Sequence, residues 1–167
     1  MRTFRSVLAQ SIAITAALVV TATTAAPALA SGHSLLREPL QGIAGSRDPV
    51  NPTQPIAGVP AGGAPWVLDE GSQVRLREDG RITVVVKHLV IPGVGNPINQ
   101  MAASLVCGGA VVDSTRPFAV SVPDGNGSIS DRIGEFDEDS CDNPIVLVRD
   151  ARTAPVLGSY FAFAMDD

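Results

Sequence analysis

Apolar and polar residues alternate from residue 73 to 77 and again from 81 to 86. A period of two predicts strands that turn one face toward a core. A three-residue loop at 78–80, with its glycine in the left-handed region, pairs Leu76 with Ile82 and predicts a hairpin with a bulged turn. In this register the inward residues are Val74, Leu76, Ile82 and Val84, and the outward residues of the first strand are Arg75 and Arg77.

A second hairpin is predicted where two apolar runs are joined by Gly108-Gly109. Glycine adopts positive φ without a Cβ clash, so this pair suits the primed turns that match strand twist. A two-residue loop sets Cys107 opposite Ala110 and Leu105 opposite Val112, and opposed residues share a face. The predicted apolar face consists of Ala103, Leu105, Cys107, Ala110 and Val112, with Ser104 and Asp113 on the other face.

The alternation between residues 81 and 91 changes phase once. Strict continuation from Val86 would bury His88 and expose Leu89. A β-bulge at Lys87-His88 corrects the phase, because it adds one residue to the strand. We therefore expect His88 to be exposed at the bulge rather than to act as a ligand or base.

Further short apolar runs occur at 118–122, 128–133, 144–148 and 156–165, separated by Gly, Pro, Asn and Asp. The run at 144–148 is apolar on both faces, which is typical of a central strand. We predict an all-β fold, an antiparallel immunoglobulin-like β-sandwich of about seven to nine strands, from this spacing. A jelly roll or a small barrel remains an alternative.

The two cysteines, Cys107 and Cys141, are predicted to form one disulfide, as is usual in an exported protein. The bond would close a loop of 34 positions and contribute about 4 kcal/mol to stability on a chain-entropy model. A pair of free buried thiols is the alternative. A catalytic cysteine is not favoured, because no base lies nearby in the sequence.

The first thirty residues have the order of a secretory signal peptide. A basic start with Arg2 and Arg5 precedes an uncharged apolar stretch at 8–20, and small residues end in Ala28-Leu29-Ala30. We expect cleavage after Ala30 and a secreted, extracellular protein. The apolar stretch is short for a membrane span, and the rest of the chain contains no second one.

Residues 31–65 differ in composition from residues 66–167. They contain six prolines, many glycines and alanines, and no aromatic residue. Such a segment buries little apolar surface against its ordering entropy, which predicts a flexible linker. The predicted organisation is a signal peptide at 1–30, a linker at 31–65 and a β-sandwich domain at 66–167 that begins at Trp66.

The charge balance limits the partners. The chain has 12 basic and 17 acidic residues, a net charge of −5, and loss of Arg2 and Arg5 with the leader makes it −7. An acidic protein is a poor ligand for nucleic acid and for anionic lipid. We expect an unknown protein or an envelope polymer as partner, no nucleic acid, no cofactor and no membrane span in the mature chain.

One stretch is similar in spacing to an EF-hand loop. Asp124, Asn126, Ser128 and Glu135 place oxygens at calcium-ligand positions. The position that needs glycine for the sharp turn holds Ile129, and the flanks read as strands. An ordinary hairpin turn is therefore the main interpretation, and a metal site at these residues is a weak alternative.

The densest acidic run, residues 135–142, lies in the loop that the disulfide would close. Its carboxylates can hold a hard cation, form a recognition patch or simply keep the loop solvated. Paired carboxylates between Asp131 and Asp142 can also serve a hydrolase. No Ser/His/Asp order, zinc spacing or phosphate-binding glycine loop occurs, so the sequence identifies no catalytic residues.

The chain resembles small exported bacterial β-sandwich proteins of unassigned function. The resemblance is carried by the run from Ala103 to Gly109, by Trp66 upstream, by the strand at 80–86 and by Cys141 before an apolar strand. It covers Trp66 to Met165 and implies a fold and an exported location, with no activity or site to transfer. The expected function is a secreted, non-enzymatic binding or structural module, with a carboxylate hydrolase or a calcium-stabilised module as alternatives.

Overall fold

Two antiparallel sheets are formed by the residues that the computed structural model describes, 33–136 and 139–166. The predicted signal peptide lies outside these residues. Ten strands occur within them. Their bounds are β1 Ser34–Pro39, β2 Gln41–Gly42, β3 Gln73–Arg77, β4 Arg81–Val86, β5 Gln100–Cys107, β6 Ala110–Ser114, β7 Phe118–Ala119, β8 Gly127–Arg132, β9 Ile145–Asp150 and β10 Tyr160–Met165.

The smaller sheet has the order β1-β3-β4-β8. Its β3–β4 hairpin has the predicted register, with Leu76 opposite Ile82. Gly80 has a φ of +75°, as the bulged turn requires, and a Cβ there would collide with the backbone of Gly134. The hairpin prediction is therefore confirmed, including the inward and outward faces of both strands.

The larger sheet has the order β2-β10-β9-β5-β6, and β7 pairs with β5. The strand predicted from the run at 144–148 is β9, and it lies between β10 and β5. Val146, Leu147 and Val148 are fully buried on it. The central position that two apolar faces predicted is confirmed.

One hydrophobic cluster contains side chains from both sheets, as in a β-sandwich. Inward residues of the smaller sheet, such as Val74 and Ile82, are members together with Met101 and Leu105 of the larger sheet. Trp66 and Phe161 pack within this cluster with ring centroids 4.4 Å apart. The predicted all-β antiparallel sandwich is thereby confirmed.

Residues 33–65, predicted as a flexible linker, are part of the folded sandwich, so that prediction is wrong for this segment. β1 pairs with β3, and β2 pairs with β10. Leu36 and Ile43 are buried in the shared core. These additional strands are also why the structure has ten strands where about seven to nine were predicted.

The segment is ordered because backbone partners lie on distant strands. Tyr160 donates its backbone N–H to the carbonyl of Pro60 and accepts one from Gly62. The prolines are tolerated because Pro39 ends β1, an edge strand, and the other five lie outside the strands, where ladder donors are not needed. The composition of the segment thus concealed its hydrogen bonding.

The hairpin of β5 and β6 confirms the turn but corrects the register. Gly108 and Gly109 both have positive φ, and Cys107 lies opposite Ala110. A bulge then shifts the pairing, so that Leu105 faces Asp113 and not Val112. Ser104, predicted on the polar face, is fully buried, because the residues on both faces of β5 are buried. Val112, predicted on the apolar face, is 47 % exposed on the edge strand β6.

The predicted phase change at residues 87 and 88 is present, although the strand ends there. β4 stops at Val86, and His88 has a φ of +51°. His88 is exposed, whereas Leu89 is fully buried. The left-handed residue supplies the shift that the bulge was expected to supply.

The disulfide between Cys107 and Cys141 is confirmed, with the two Cα atoms 4.8 Å apart. It joins the tip of the β5–β6 hairpin to the loop before β9. Because β5 and β9 are neighbours in the larger sheet, the bond lies at one end of that sheet. In antibody domains the corresponding disulfide connects the two sheets.

No helix in the described ranges has the length and apolar character needed to cross a membrane.

Candidate functional site: an arginine-rich sheet face

The outward face of the smaller sheet carries five arginines, which we call the arginine face. Inward residues of β3 and β4 are buried, so the alternating positions between them point to solvent. β1 and β8 add outward residues by the same alternation. The members of the arginine face are Arg37, Arg75, Arg77, Arg81 and Arg132.

Arg37 and Arg75 lie directly opposite each other on β1 and β3. Opposed residues in an antiparallel pair have Cβ atoms about 5 Å apart, and like charges at this position are destabilising. Both side chains are exposed, and neither forms an ion pair or a side-chain hydrogen bond with another described residue. The fold therefore leaves two adjacent positive charges without a described partner.

A shallow cavity of about 240 Å³ lies at this pair, lined by Arg37, Gln73, Arg75 and Thr83. Thr83 is directly opposite Arg75 on β4, so the register of three strands assembles the lining. Two guanidinium groups, an amide and a hydroxyl offer several hydrogen-bond donors. This set suits a carboxylate, sulfate or phosphate group, which arginine binds with two parallel N–H bonds.

The other three arginines lie near the β3–β4 turn. Arg77 ends β3, Arg81 begins β4, and Arg132 ends the neighbouring strand β8. Arg81 faces Arg132 directly across β4 and β8. Arg132 has Glu135 2.7 Å away and Arg77 has Asp79 3.5 Å away. Arg81 donates its backbone N–H to Asp79 at 3.2 Å, but its guanidinium has no partner among the described residues. The Nε atom of Arg77 is buried and makes no hydrogen bond. A second opposed arginine pair thus continues the positive charge across the sheet.

The positive charge of the protein is unevenly distributed. The described residues contain ten arginines and lysines, and five of them form the arginine face, although the chain as a whole has a net charge of −5. The four strands of this sheet contain only two acidic residues, Glu38 and Asp131. These stand opposite the inward residues Val74 and Ile82, and so do not lie in the rows of the arginines. The net charge, from which weak binding to nucleic acid and to anionic lipid was expected, therefore does not describe the local charge of this face.

The residues predicted as weak calcium ligands do not converge. Asp124 precedes β8 and Glu135 follows it, and a six-residue strand spans about 17 Å. Asn126 accepts the backbone N–H of His88 with its side-chain oxygen at 3.0 Å. Ser128 lies on β8 opposite Val85. The four oxygens are therefore spread along a strand and not gathered in a loop.

The acidic run is only partly described, since Asp137 and Glu138 lie outside the described residues. Glu135 bonds Arg132, and Asp139 and Asp142 are exposed. Asp131 accepts backbone N–H groups of Arg116 and Arg132 at 2.9 and 3.0 Å. The carboxylate of Asp131 therefore connects β8 to the segment after β6. The described residues contain no group of three or more His, Cys, Asp or Glu residues placed to hold a metal ion.

A second cavity, of about 230 Å³, lies beside the disulfide. Its lining contains two carboxylates and no basic residue, so it lacks the donors that an anion needs. The lining residues are Leu35, Cys141, Asp142, Asn143, Pro144 and Asp166.

Sequence reasoning placed two of the five arginines on this face. The alternation placed Arg75 and Arg77 outward, but it gave no reason to bring Arg37 to them. Arg37 stands in the segment interpreted as a linker, and its strand pairs with a partner 38 positions away. The available signal was the short run Ser34–Pro39, which ends at a proline as edge strands often do.

The comparisons with known proteins give no significant match to a family model, to a curated protein or to a solved structure.

Proposed function

We propose that the protein is an exported, non-enzymatic β-sandwich that binds an anionic ligand on its arginine face. The observation that carries the proposal is the opposed pair of Arg37 and Arg75, unpartnered among the described residues and lining a cavity with polar neighbours. Export is supported by the signal-peptide pattern and by the disulfide, which is typical of an oxidising compartment. The resemblance to exported bacterial β-sandwich proteins points the same way.

Binding would compensate an unfavourable feature of the fold. Two arginines directly opposite each other repel, and an anion between them turns the repulsion into two attractions. Such a ligand stabilises the folded protein by mass action, because the unfolded chain does not hold the two side chains together. Arginine is the suitable residue, since it stays charged and presents a rigid fork of donors.

The test is a titration of the oxidised protein with inorganic sulfate and inorganic phosphate, followed by backbone amide NMR shifts. We expect saturable shifts that centre on β1 and β3 around Arg37 and Arg75. The variant Arg37→Gln/Arg75→Gln should lose them. Arg47→Gln removes one positive charge in the exposed loop after β2 and should keep them.

Two results would overturn the proposal. One is the absence of saturable shifts with either anion. The other is an equal response in the wild type and in Arg37→Gln/Arg75→Gln, which would place anion binding elsewhere.

A further inference from the structure

We infer that the anionic ligand is a linear acidic polysaccharide that lies across the strands of the smaller sheet. This inference rests on the proposed function, because it names the ligand of the same face. Carboxylate and sulfate groups share the relevant chemistry, and the experiment below separates them.

The arginine face forms a band of positive charge across the four strands, and the length of this band favours an extended ligand. Each of the four strands contributes at least one outward arginine, from Arg37 on β1 to Arg132 on β8. Neighbouring strands are about 4.8 Å apart, so the band is about 14 Å long. A single sulfate or phosphate reaches one opposed pair, whereas a chain of acidic groups reaches both pairs together.

The second pair is available to such a chain. Arg81 is exposed, and its guanidinium has no partner among the described residues. Arg132 is engaged with Glu135, but both side chains of that ion pair are largely exposed, at 63 % and 78 %. Exposed ion pairs contribute little stability, so Arg132 can exchange Glu135 for a ligand. The carboxylates of Asp79 and Glu135 lie beside the β3–β4 turn. They would repel a polyanion there and so favour its binding over the strands.

The residues between the arginines favour a sugar chain over a nucleic acid. Gln73, Thr83, Ser128 and Ser130 alternate with the buried positions of β3, β4 and β8, and their amide and hydroxyl groups match sugar hydroxyls. The four strands contain no aromatic residue. Proteins that hold single-stranded nucleic acid use aromatic rings as stacking platforms. The polar interleaving therefore fits an acidic polysaccharide.

The experiment measures the affinity of the oxidised protein for polygalacturonate and for dextran sulfate by calorimetry. Monomeric galacturonate and inorganic sulfate are compared at equal concentrations of acidic groups, and neutral dextran and a single-stranded oligonucleotide are the controls. We expect at least one acidic polymer to bind about tenfold or more tightly per acidic group than its monomer. Once one arginine pair holds the polymer, the second pair binds an acidic group of the same chain, which is an intramolecular event.

The variant Arg81→Gln/Arg132→Gln separates this inference from the proposed function. It should lose the polymer advantage and keep the amide shifts that sulfate produces around Arg37 and Arg75. Arg47→Gln should change neither. If small anions bind at Arg37 and Arg75 but no polymer gains over its monomer, the inference is wrong and the proposed function stands. Oligonucleotide binding as tight as polysaccharide binding also overturns the inference, and no binding of any anion overturns both.

Discussion

Tyr160 shows how one polar atom fixes the position of a long loop. Its side chain is 1 % exposed, packs edge-on to Phe163 and donates its hydroxyl to the carbonyl of Gln54 at 2.6 Å. Burial raises the pKa of the phenol above its ordinary value, because the charged phenolate is disfavoured away from water. The hydroxyl therefore connects β10 to the loop between β2 and β3 while it stays protonated.

The alkaline titration of Tyr160 tests this connection. A pKa raised by folding means that the stabilisation is complete below the ordinary value of 10.0 and is lost as the pH rises through the folded pKa. Because the chain has one tyrosine, tyrosinate absorbance reports this group alone. We expect a native midpoint above 10.0 and a denatured midpoint near it. Tyr160→Phe should lower the stability at neutral pH by about 1 kcal/mol, and a native midpoint at or below 10.0 would contradict the role of burial.

Arg75 differs from Tyr160 in that its polar side chain is exposed and has no partner among the described residues. Alternation along β3 alone predicts that it points outward, which the structure confirms. Its significance comes from Arg37, which the register places opposite it, and from the lack of an acidic partner among the described residues. The sequence alone therefore predicts an ordinary solvated charge at Arg75. Its position opposite Arg37 makes it one of the two arginines of the opposed pair.

Among the strands, β1 contributes both to the proposed site and to the core. It brings Arg37 to the arginine face and at the same time seals the core with Leu36, which is 2 % exposed. A strand at the edge of a sheet needs only one partner, and β3 supplies it over five residue pairs.

Leu36→Ala tests whether β1 belongs to the folded domain. We expect a loss of about 2–5 kcal/mol in the free energy of unfolding, because the change leaves a cavity in the shared core. Val50→Ala is the matched control, since Val50 stands in the same segment and is 89 % exposed. Chemical denaturation of the oxidised proteins measures both. Equal stability of the two variants would restore the interpretation of residues 31–65 as a linker.

Local signals account for the elements that could be predicted from the sequence. The β3–β4 hairpin and the Gly108-Gly109 turn arise from residues a few positions apart, and the disulfide from the presence of two cysteines. The bulge near Leu105 and the pairing of Arg37 with Arg75 depend on distant partners. Register between distant strands is set by tertiary packing, which alternation does not encode. The site was therefore visible only in part.

For the protein as a whole, the uneven distribution of charge is the main functional feature. An acidic protein concentrates half of its described basic residues on one sheet face. Repulsion within that face should reduce stability when salt is low, because charges about 10 Å or less apart are poorly screened below about 0.1 M salt. A face shaped only for stability would interleave acidic residues with the arginines.

The most direct measurement is the free energy of unfolding of Arg75→Gln relative to Arg47→Gln, at low ionic strength and again with sulfate. Both changes remove one positive charge, so net charge does not distinguish them. We predict that Arg75→Gln is the more stable by a few tenths of a kcal/mol, at most about 1 kcal/mol, because it removes an opposed like-charge pair. Sulfate should close this gap by stabilising Arg47→Gln, which keeps the pair intact. If Arg75→Gln is no more stable than Arg47→Gln without sulfate, or if sulfate stabilises the two equally, Arg37 and Arg75 do not form the anion site.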